Sequence, residues 1–142
     1  MLDEKRKKFT LSQRNVFDFV TEAIMKGDST AVFIDARGGT GKTFVLNAIL
    51  AAVRILEEGS IALAVGATGI AANLLHLGRT FHSRFKAPLL IHAESVCCID
   101  AQSTLARLIR MSKLIVWDEA PMSHKHQLEA LDRTLRDIIK WM

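Results

Sequence analysis

The sequence predicts an α/β fold in which helices cover both faces of a parallel β-sheet. Two patterns support this prediction: short apolar segments alternate with helical segments along the 142 residues, and the apolar residues of the short segments are continuous. Continuous apolarity is typical of strands buried on both faces, as they are when helices connect parallel strands. The composition agrees, because 49% apolar residues with only 8 Gly and 2 Pro exclude a disordered chain.

Periodicity and breaker residues predict the elements of the first half. Leu11, Val16, Val20 and Ile24 recur at helical spacing, and Gly27 ends the pattern. Short apolar runs indicate buried strands, and longer runs rich in alanine and leucine indicate helices. The predicted order is a helix over residues 12–26, a buried strand over 31–35, a helix over 43–57, a buried strand over 61–65 and a small-residue helix that ends at Leu75.

The second half begins with a long segment that has no clear periodicity. Residues 78–100 carry Pro88 and are expected to be irregular. They are followed by a helix over residues 103–111, a third buried strand over 114–117 and a final helix over 126–139. No linker or repeat divides the chain, so we expect one domain over residues 11–142, preceded by a basic flexible N-terminus over residues 1–10.

Charge and cysteine content restrict the class of protein. The formal net charge of +4 suits a polyanionic partner such as nucleic acid, although charge alone describes solubility and steering. The basic run Lys5–Lys8 is a nuclear localisation signal, a phosphate-binding arm or a solvated terminus. The only cysteines, Cys97 and Cys98, are adjacent, which excludes a disulfide scaffold and favours two buried thiols in a reducing compartment. The longest apolar stretch is too short and too interrupted to span a bilayer, so we expect no membrane partner.

A glycine-rich loop follows the first predicted strand. It reads Ala36-Arg37-Gly38-Gly39-Thr40-Gly41-Lys42-Thr43 and leads directly into a helix, which is the Walker A pattern in its expected context. Glycines allow backbone N–H groups to converge on phosphate oxygens, Lys42 supplies a charge to the β- and γ-phosphates, and the Thr43 hydroxyl binds Mg²⁺. Ala36 replaces the first glycine of the pattern, which costs about 1 kcal/mol or more if that position needs a positive φ and nothing otherwise.

Two carboxylates follow the third predicted strand. Asp118 and Glu119 come directly after the apolar run Leu114–Trp117, in the form of a Walker B motif. The carboxyl ends of parallel strands meet at one edge of a sheet, so we expect this pair beside the glycine-rich loop. Asp118 would hold Mg²⁺ through water, and Glu119 would take the proton of the attacking water as general base. The sequence therefore predicts a site for ATP and Mg²⁺.

These motifs and two further stretches resemble the petite-integration-frequency (PIF) family of superfamily-one DNA helicases, which includes the helicases of Helitron transposons. The resemblance covers about Leu11 to Lys140 and is carried by the stretches Phe33–Thr43, Ala67–Ala72, Gly78–Ser83 and Trp117–Met122. It implies a RecA-like P-loop domain that binds Mg²⁺-ATP and single-stranded DNA. It also implies that ATP hydrolysis drives 5′-to-3′ unwinding of DNA in repair, recombination and telomere maintenance.

The resemblance implies a role for each matching residue. Gln13 matches a glutamine that reads adenine, with a solvent-facing helix residue as the alternative. Thr68 and Gly69 match an element that contacts DNA phosphates, with a helix cap as the alternative, and Phe81 either stacks on a base or fills the core. The candidate nucleotide-binding residues are Gln13, Gly38, Gly39, Thr40, Gly41, Lys42 and Thr43. The candidate DNA-binding residues are Thr68, Gly69, Thr80, Phe81 and His82, the catalytic candidates are Lys42, Asp118 and Glu119, and the Mg²⁺ candidates are Thr43 and Asp118.

Two parts of such a motor do not follow within the sequence. The family has a third motif, with a glutamine that senses the γ-phosphate, and a second RecA-like domain that supplies arginine fingers. Without them we expect this segment to bind nucleotide better than it hydrolyses it. The alternatives are a truncated or degenerate module that binds nucleotide or DNA without turnover, and a P-loop phosphotransferase, for which we find no lid over an acceptor substrate. The expected location is the nucleus, with the mitochondrion as the alternative.

Overall fold

The computed structural model describes residues 1–140, so the last two residues of the predicted domain lie outside the described part. Its helices are α1 (Leu2–Lys7), α2 (Leu11–Lys26), α3 (Lys42–Leu56), α4 (Gly69–Leu74), α5 (Phe81–Phe85), α6 (Thr104–Met111) and α7 (Lys125–Lys140). Its strands are β1 (Ile61–Gly66), β2 (Arg79–Thr80) and β3 (Ser112–Asp118), and a short 3-10 turn spans Ala120–Met122. Within residues 1–140, none of the helices combines the length and the apolarity needed to cross a bilayer.

The three strands form one parallel sheet in the order β2-β1-β3. Gly66, the last residue of β1, pairs with Thr80 on one side and with Asp118 on the other. The carboxyl ends of all three strands therefore meet at one edge of the sheet. This arrangement confirms the predicted α/β fold with a parallel sheet.

Helices cover both faces of the sheet because β1 contributes apolar side chains to each face in alternation. Ala62 and Ala64 lie in a core with buried residues of α2 and α3. Leu63 and Val65 lie in a second core with buried residues of α5, α6 and α7. The central strand is thus buried on both sides, as its continuous apolarity predicts.

Strand β3 is less buried than the sequence predicts. Of its seven residues, only Val116 and Asp118 are buried. It lies at the end of the sheet, so one of its edges pairs with no other strand among residues 1–140. The incomplete burial follows from this edge position.

The strand predicted over residues 31–35 does not form. This segment has no regular structure, and the side chains of Val32 and Phe33 are 45% and 72% exposed. It lies against α2, where residues 32–35 and Asn15, Val16 and Phe19 line a cleft of about 340 Å³. Strand preference depends strongly on pairing and packing, and an apolar run that pairs with no strand does not become one. The prediction of a buried strand here was wrong for that reason.

Regular structure also appears in two segments where the sequence predicts none. Strand β2 and helix α5 lie within the segment 78–100, and Phe81 and Phe85, one helical turn apart, anchor α5 in the core. Helix α1 lies within the N-terminus that we expected to be flexible. There the guanidinium of Arg6 donates to Asp18 Oδ1 at 2.9 Å and lies 5.3 Å from the centroid of the Phe17 ring. These contacts hold a basic residue of the terminus against α2.

Candidate nucleotide and DNA site

The candidate functional residues gather at the carboxyl edge of the sheet. Asp118 ends β3, and Thr80 ends β2 on the far side of Gly66. Ala67, the first residue after β1, donates its backbone N–H to the Asp118 carbonyl at 3.1 Å, and Thr68 follows it. The end of β1 therefore lies between Asp118, a predicted nucleotide-site residue, and Thr80, a predicted DNA-binding residue.

The glycine-rich loop runs from the irregular segment into the first turn of α3. Gly39 and Gly41 have φ angles of +74° and +81°, in the left-handed region that favours glycine. Gly41 also caps the 15-residue helix α3, whose free N-terminal N–H groups lie at the loop. Ala36 is not among the residues with positive φ, so the alanine at the first glycine position causes no strain there. Positive φ angles at two glycines before a helix N-terminus are typical of a phosphate-binding loop.

Lys42 reaches back across this loop. Its ammonium donates to the carbonyl oxygen of Ala36 at 2.5 Å, and the Thr40 hydroxyl donates to the Arg37 carbonyl at 2.7 Å. The positive charge is thereby held at the mouth of the loop, where phosphate oxygens would approach. An ammonium on a flexible chain can exchange a carbonyl for a phosphate oxygen without moving the backbone.

Thr43 and Asp118 join the loop to the sheet. The Thr43 hydroxyl donates to Asp118 Oδ2 at 2.9 Å, and the backbone N–H of Glu119 donates to Asp118 Oδ1 at 2.9 Å. Asp118 is only 5% exposed, so both oxygens are held by protein donors rather than by bulk water. A hydroxyl and a carboxylate in contact are hard oxygen donors, a set that fits Mg²⁺ completed by water and phosphate oxygens. Residues 1–140 contain no cluster of three or more His, Cys, Asp or Glu side chains for a metal held by protein alone.

Glu119 follows in an unusual backbone conformation. Its φ of +55° and ψ of +33° lie in the left-handed region, which is rare for a residue with a side chain. The residue is exposed, and its carboxylate forms no hydrogen bond or ion pair within residues 1–140. The backbone turns sharply between the two carboxylates, so that Asp118 is buried and bonded while Glu119 remains accessible. Such a division suits one metal ligand and one base.

Gln13 is bonded at both ends of its side-chain amide. Oε1 accepts from the Thr10 backbone N–H at 3.0 Å, and Nε2 donates to the Thr40 carbonyl at 2.8 Å. The first bond belongs to a capping box, in which the Thr10 hydroxyl in turn accepts from the Gln13 N–H. Gln13 is therefore not a free helix residue. Its contact with adenine stays a prediction, and the sequence Thr-x-x-Gln was a signal for the cap that sequence reasoning missed.

The predicted DNA residues lie in different environments. Thr68 and Thr80 each cap a short helix, with the hydroxyls accepting from the N–H groups of Ala71 and Ser83. The helix-cap alternative for Thr68 is thus present, yet a hydroxyl that accepts one bond can still donate its own hydrogen to a phosphate. Gly69 is exposed beside Thr68.

Phe81 and His82 follow Thr80 and differ in burial. Phe81 is 2% exposed and stacks on Trp117 with 5.0 Å between ring centroids, so its ring fills the core. Of the two alternatives that the sequence left open for Phe81, base stacking and core filling, this burial supports core filling. His82 is half-buried, with Nδ1 3.5 Å from the Ala87 carbonyl. Its contact with DNA stays a prediction.

Sequence comparisons with known proteins relate the chain to DNA helicases. A sequence model of PIF1-like helicases matches residues 8–142. The protein ATP-dependent DNA helicase PIF4 of Trypanosoma brucei brucei is 31% identical over 114 residues. That alignment covers 77% of this chain and 13% of the trypanosome protein, so the chain corresponds to a small part of that relative.

Proposed function

Because the chain belongs to the PIF1-like helicase family, we propose that it is the ATP-binding segment of a DNA helicase and couples ATP hydrolysis to DNA unwinding. One observation carries this proposal: the Thr43 hydroxyl contacts Asp118 Oδ2 at 2.9 Å. This contact joins the glycine-rich loop to the end of β3. It places the two predicted Mg²⁺ ligands together although they are far apart in the sequence.

The nucleotide polyphosphate would lie against the loop between Gly38 and Lys42. Backbone N–H groups of the loop and of the first turn of α3 would donate to the phosphate oxygens. Lys42 would leave the Ala36 carbonyl and pair with the β- and γ-phosphates, since an ion pair with phosphate is stronger than a bond to a neutral carbonyl. Bound Mg²⁺ would neutralise part of the phosphate charge, and Thr43 and Asp118 are the residues that would hold it.

Glu119 would act as the general base. Its carboxylate is exposed next to Asp118 and is not engaged by another side chain within residues 1–140. It would accept a proton from the water that attacks the γ-phosphate. Full turnover would use arginine fingers from a second RecA-like domain, as the family resemblance implies.

The residues that would contact single-stranded DNA are Thr68, Gly69, Thr80 and His82. A hydroxyl and a backbone N–H that contact phosphates would hold single-stranded DNA without regard to sequence. We further propose 5′-to-3′ unwinding in repair, recombination and telomere maintenance, and a location in the nucleus or the mitochondrion. The net charge of +4 supports a polyanionic partner.

The test is ATP binding and ATP hydrolysis by this chain, with and without single-stranded DNA. The variants are Lys42→Ala and Glu119→Gln, and the matched controls are Lys26→Ala and Glu22→Gln, which alter an exposed ion pair on α2. We expect Lys42→Ala to weaken ATP binding, and Glu119→Gln to retain binding but lose turnover.

Two outcomes would contradict the proposal. A chain that binds no ATP would not be a nucleotide-binding segment at all. ATP binding that supports no DNA-stimulated hydrolysis, even when a second RecA-like domain of the family is added, would favour the binding module without turnover. Ala36 does not favour that alternative, because its φ is not positive and its backbone conformation suits alanine.

A further inference from the structure

We propose that Gln13 is a positioning residue that sets the geometry of the glycine-rich loop, independently of which base the nucleotide carries. The inference rests on the proposed function, because it assigns a role within the same nucleotide site. Two segments that are 27 residues apart are in contact, because Gln13 Nε2 donates to the Thr40 carbonyl at 2.8 Å.

The side chain of Gln13 is fixed before it reaches the loop. Its Oε1 accepts from the Thr10 N–H at 3.0 Å, and its backbone N–H donates to the Thr10 hydroxyl at 3.3 Å. The capping box thus restrains the side-chain torsions at the first turn of α2. Helix α2 is itself packed on α3 through a shared apolar core. The Nε2 donor therefore has a rigid support.

The bonded carbonyl determines the direction of a loop N–H group. The Thr40 carbonyl and the Gly41 N–H belong to one peptide unit, and no peptide bond within residues 1–140 is cis. In a planar trans peptide the C=O and N–H groups point in opposite directions. When Gln13 holds the Thr40 oxygen, the Gly41 N–H is directed away from α2. That N–H lies at the cap of α3, among the donors that a phosphate would meet.

The packing around Gly41 shows how close this support is. A Cβ atom placed on Gly41 would lie 2.7 Å from Gln13 Nε2. Gly41 is thus required twice, once by its φ of +81° and once by the glutamine beside it. A loop held this tightly has its phosphate donors arranged before the ligand arrives, which favours binding.

A positioning role and an adenine-reading role predict different ligand dependence. A residue that reads the base affects ATP and leaves ligands without adenine unchanged. A residue that orients the loop affects every ligand that places phosphates there. Inorganic tripolyphosphate has no base or sugar, so it separates the two roles directly.

The experiment titrates Mg²⁺ complexes of ATP, GTP and tripolyphosphate into the unchanged chain and into Gln13→Ala, Gln13→Glu and Ser12→Ala, with calorimetry as readout. Ser12 is an exposed neighbour on α2 and serves as the control. We expect Gln13→Ala to weaken all three ligands by a similar factor, about 3- to 10-fold for one neutral hydrogen bond. We expect a larger loss for Gln13→Glu, because it keeps the acceptor for Thr10 but sets an oxygen against the Thr40 carbonyl.

A second readout separates positioning from a general loss of fold. In nitrogen–proton correlation spectra without ligand, the Gly41 amide signal should move in both Gln13 variants and stay in place in Ser12→Ala. The Gly59 amide, in the turn between α3 and β1, should stay in place in all of them. A substitution that only lowered the melting temperature would leave the affinity of the folded chain for all three ligands unchanged.

Each of the other outcomes contradicts one specific claim. A loss confined to ATP would overturn the inference and restore the adenine-reading role. Unchanged affinity for all three ligands in folded Gln13→Ala would also overturn it. If the unchanged chain bound none of the ligands, the proposed function would fail, and the Gly41 signal would still decide whether Gln13 orients the loop.

Discussion

Thr43→Val is the substitution that most directly tests how the loop is attached to the sheet. It keeps the shape of the side chain and removes the hydroxyl that donates to Asp118 Oδ2 at 2.9 Å. Asp118 is 5% exposed, so water cannot freely replace the lost donor. A hydrogen bond to a charged group contributes about 1.5–3 kcal/mol to stability, and the free energy of unfolding should fall by that amount.

The assay is thermal unfolding followed by circular dichroism, with Thr43→Ser as the matched control. For a chain of about this length, each kcal/mol shifts the melting temperature by about 2–4 °C, so Thr43→Val should melt about 3–12 °C lower. Thr43→Ser keeps the hydroxyl and loses one methyl group, which costs about 0.8 kcal/mol if that group is fully buried. Thr43→Val thus reports the loss of the hydroxyl, and Thr43→Ser shows how little the methyl group contributes by itself.

A double-mutant cycle with Asp118→Ala then assigns the effect to the pair. If the contact stabilises the fold as reasoned, Thr43→Val should cost little once the carboxylate is absent, with a coupling energy of about 1.5–3 kcal/mol. Equal melting temperatures for Thr43→Val and Thr43→Ser, or additive effects in the cycle, would refute the reasoning. The loop would then be held to the sheet by packing alone.

Three further predictions concern single residues. Phe81→Leu should lower the free energy of unfolding by about 1–3 kcal/mol, because it disrupts the stack on Trp117, and should leave the affinity for single-stranded DNA unchanged in anisotropy titrations. A fall in DNA affinity of about 5-fold or more, the lower end for losing a base stack, would mean that the ring does contact a base. Ala36→Gly should lower the free energy of unfolding, measured in urea, by about 0.4–1 kcal/mol, because glycine raises the entropy of the unfolded chain. A gain in ATP affinity would show instead that the loop needs glycine at that position. Iodoacetamide should label exposed Cys98 in the folded protein and spare Cys97, since burial raises the pKa of the Cys97 thiol. If mass spectrometry found both cysteines labelled equally before unfolding, the burial of Cys97 would be contradicted.

The sequence was informative wherever a local pattern determines the structure. The helix over residues 12–26, the helix that opens at the glycine-rich loop and the buried strand β1 all form as predicted. Each carries its own signal in the form of helical periodicity, a glycine at a turn or a continuous apolar run. The meeting of Thr43 and Asp118 was predicted as well, although that prediction assumed a parallel strand before the loop, and that strand does not form.

Other contacts between distant segments could not be predicted from such local patterns. Residues 31–35 have the composition of a buried strand, but pairing with a neighbour decides whether a strand forms. The contact of Gln13 with the Thr40 carbonyl depends on how α2 packs, which no local signal gives. Phe81 follows a capping threonine and could equally face solvent or the core, and only its stack on Trp117 decides.

One edge of β3 pairs with no strand in the part of the chain that the structure describes, which has a consequence for how the isolated chain behaves at high concentration. An open strand edge is a template for intermolecular β-pairing and aggregation, and exposed apolar side chains elsewhere on the chain, such as Phe33, favour the same association. Any added strand that covers this edge would act as a solubilising element as much as a structural one.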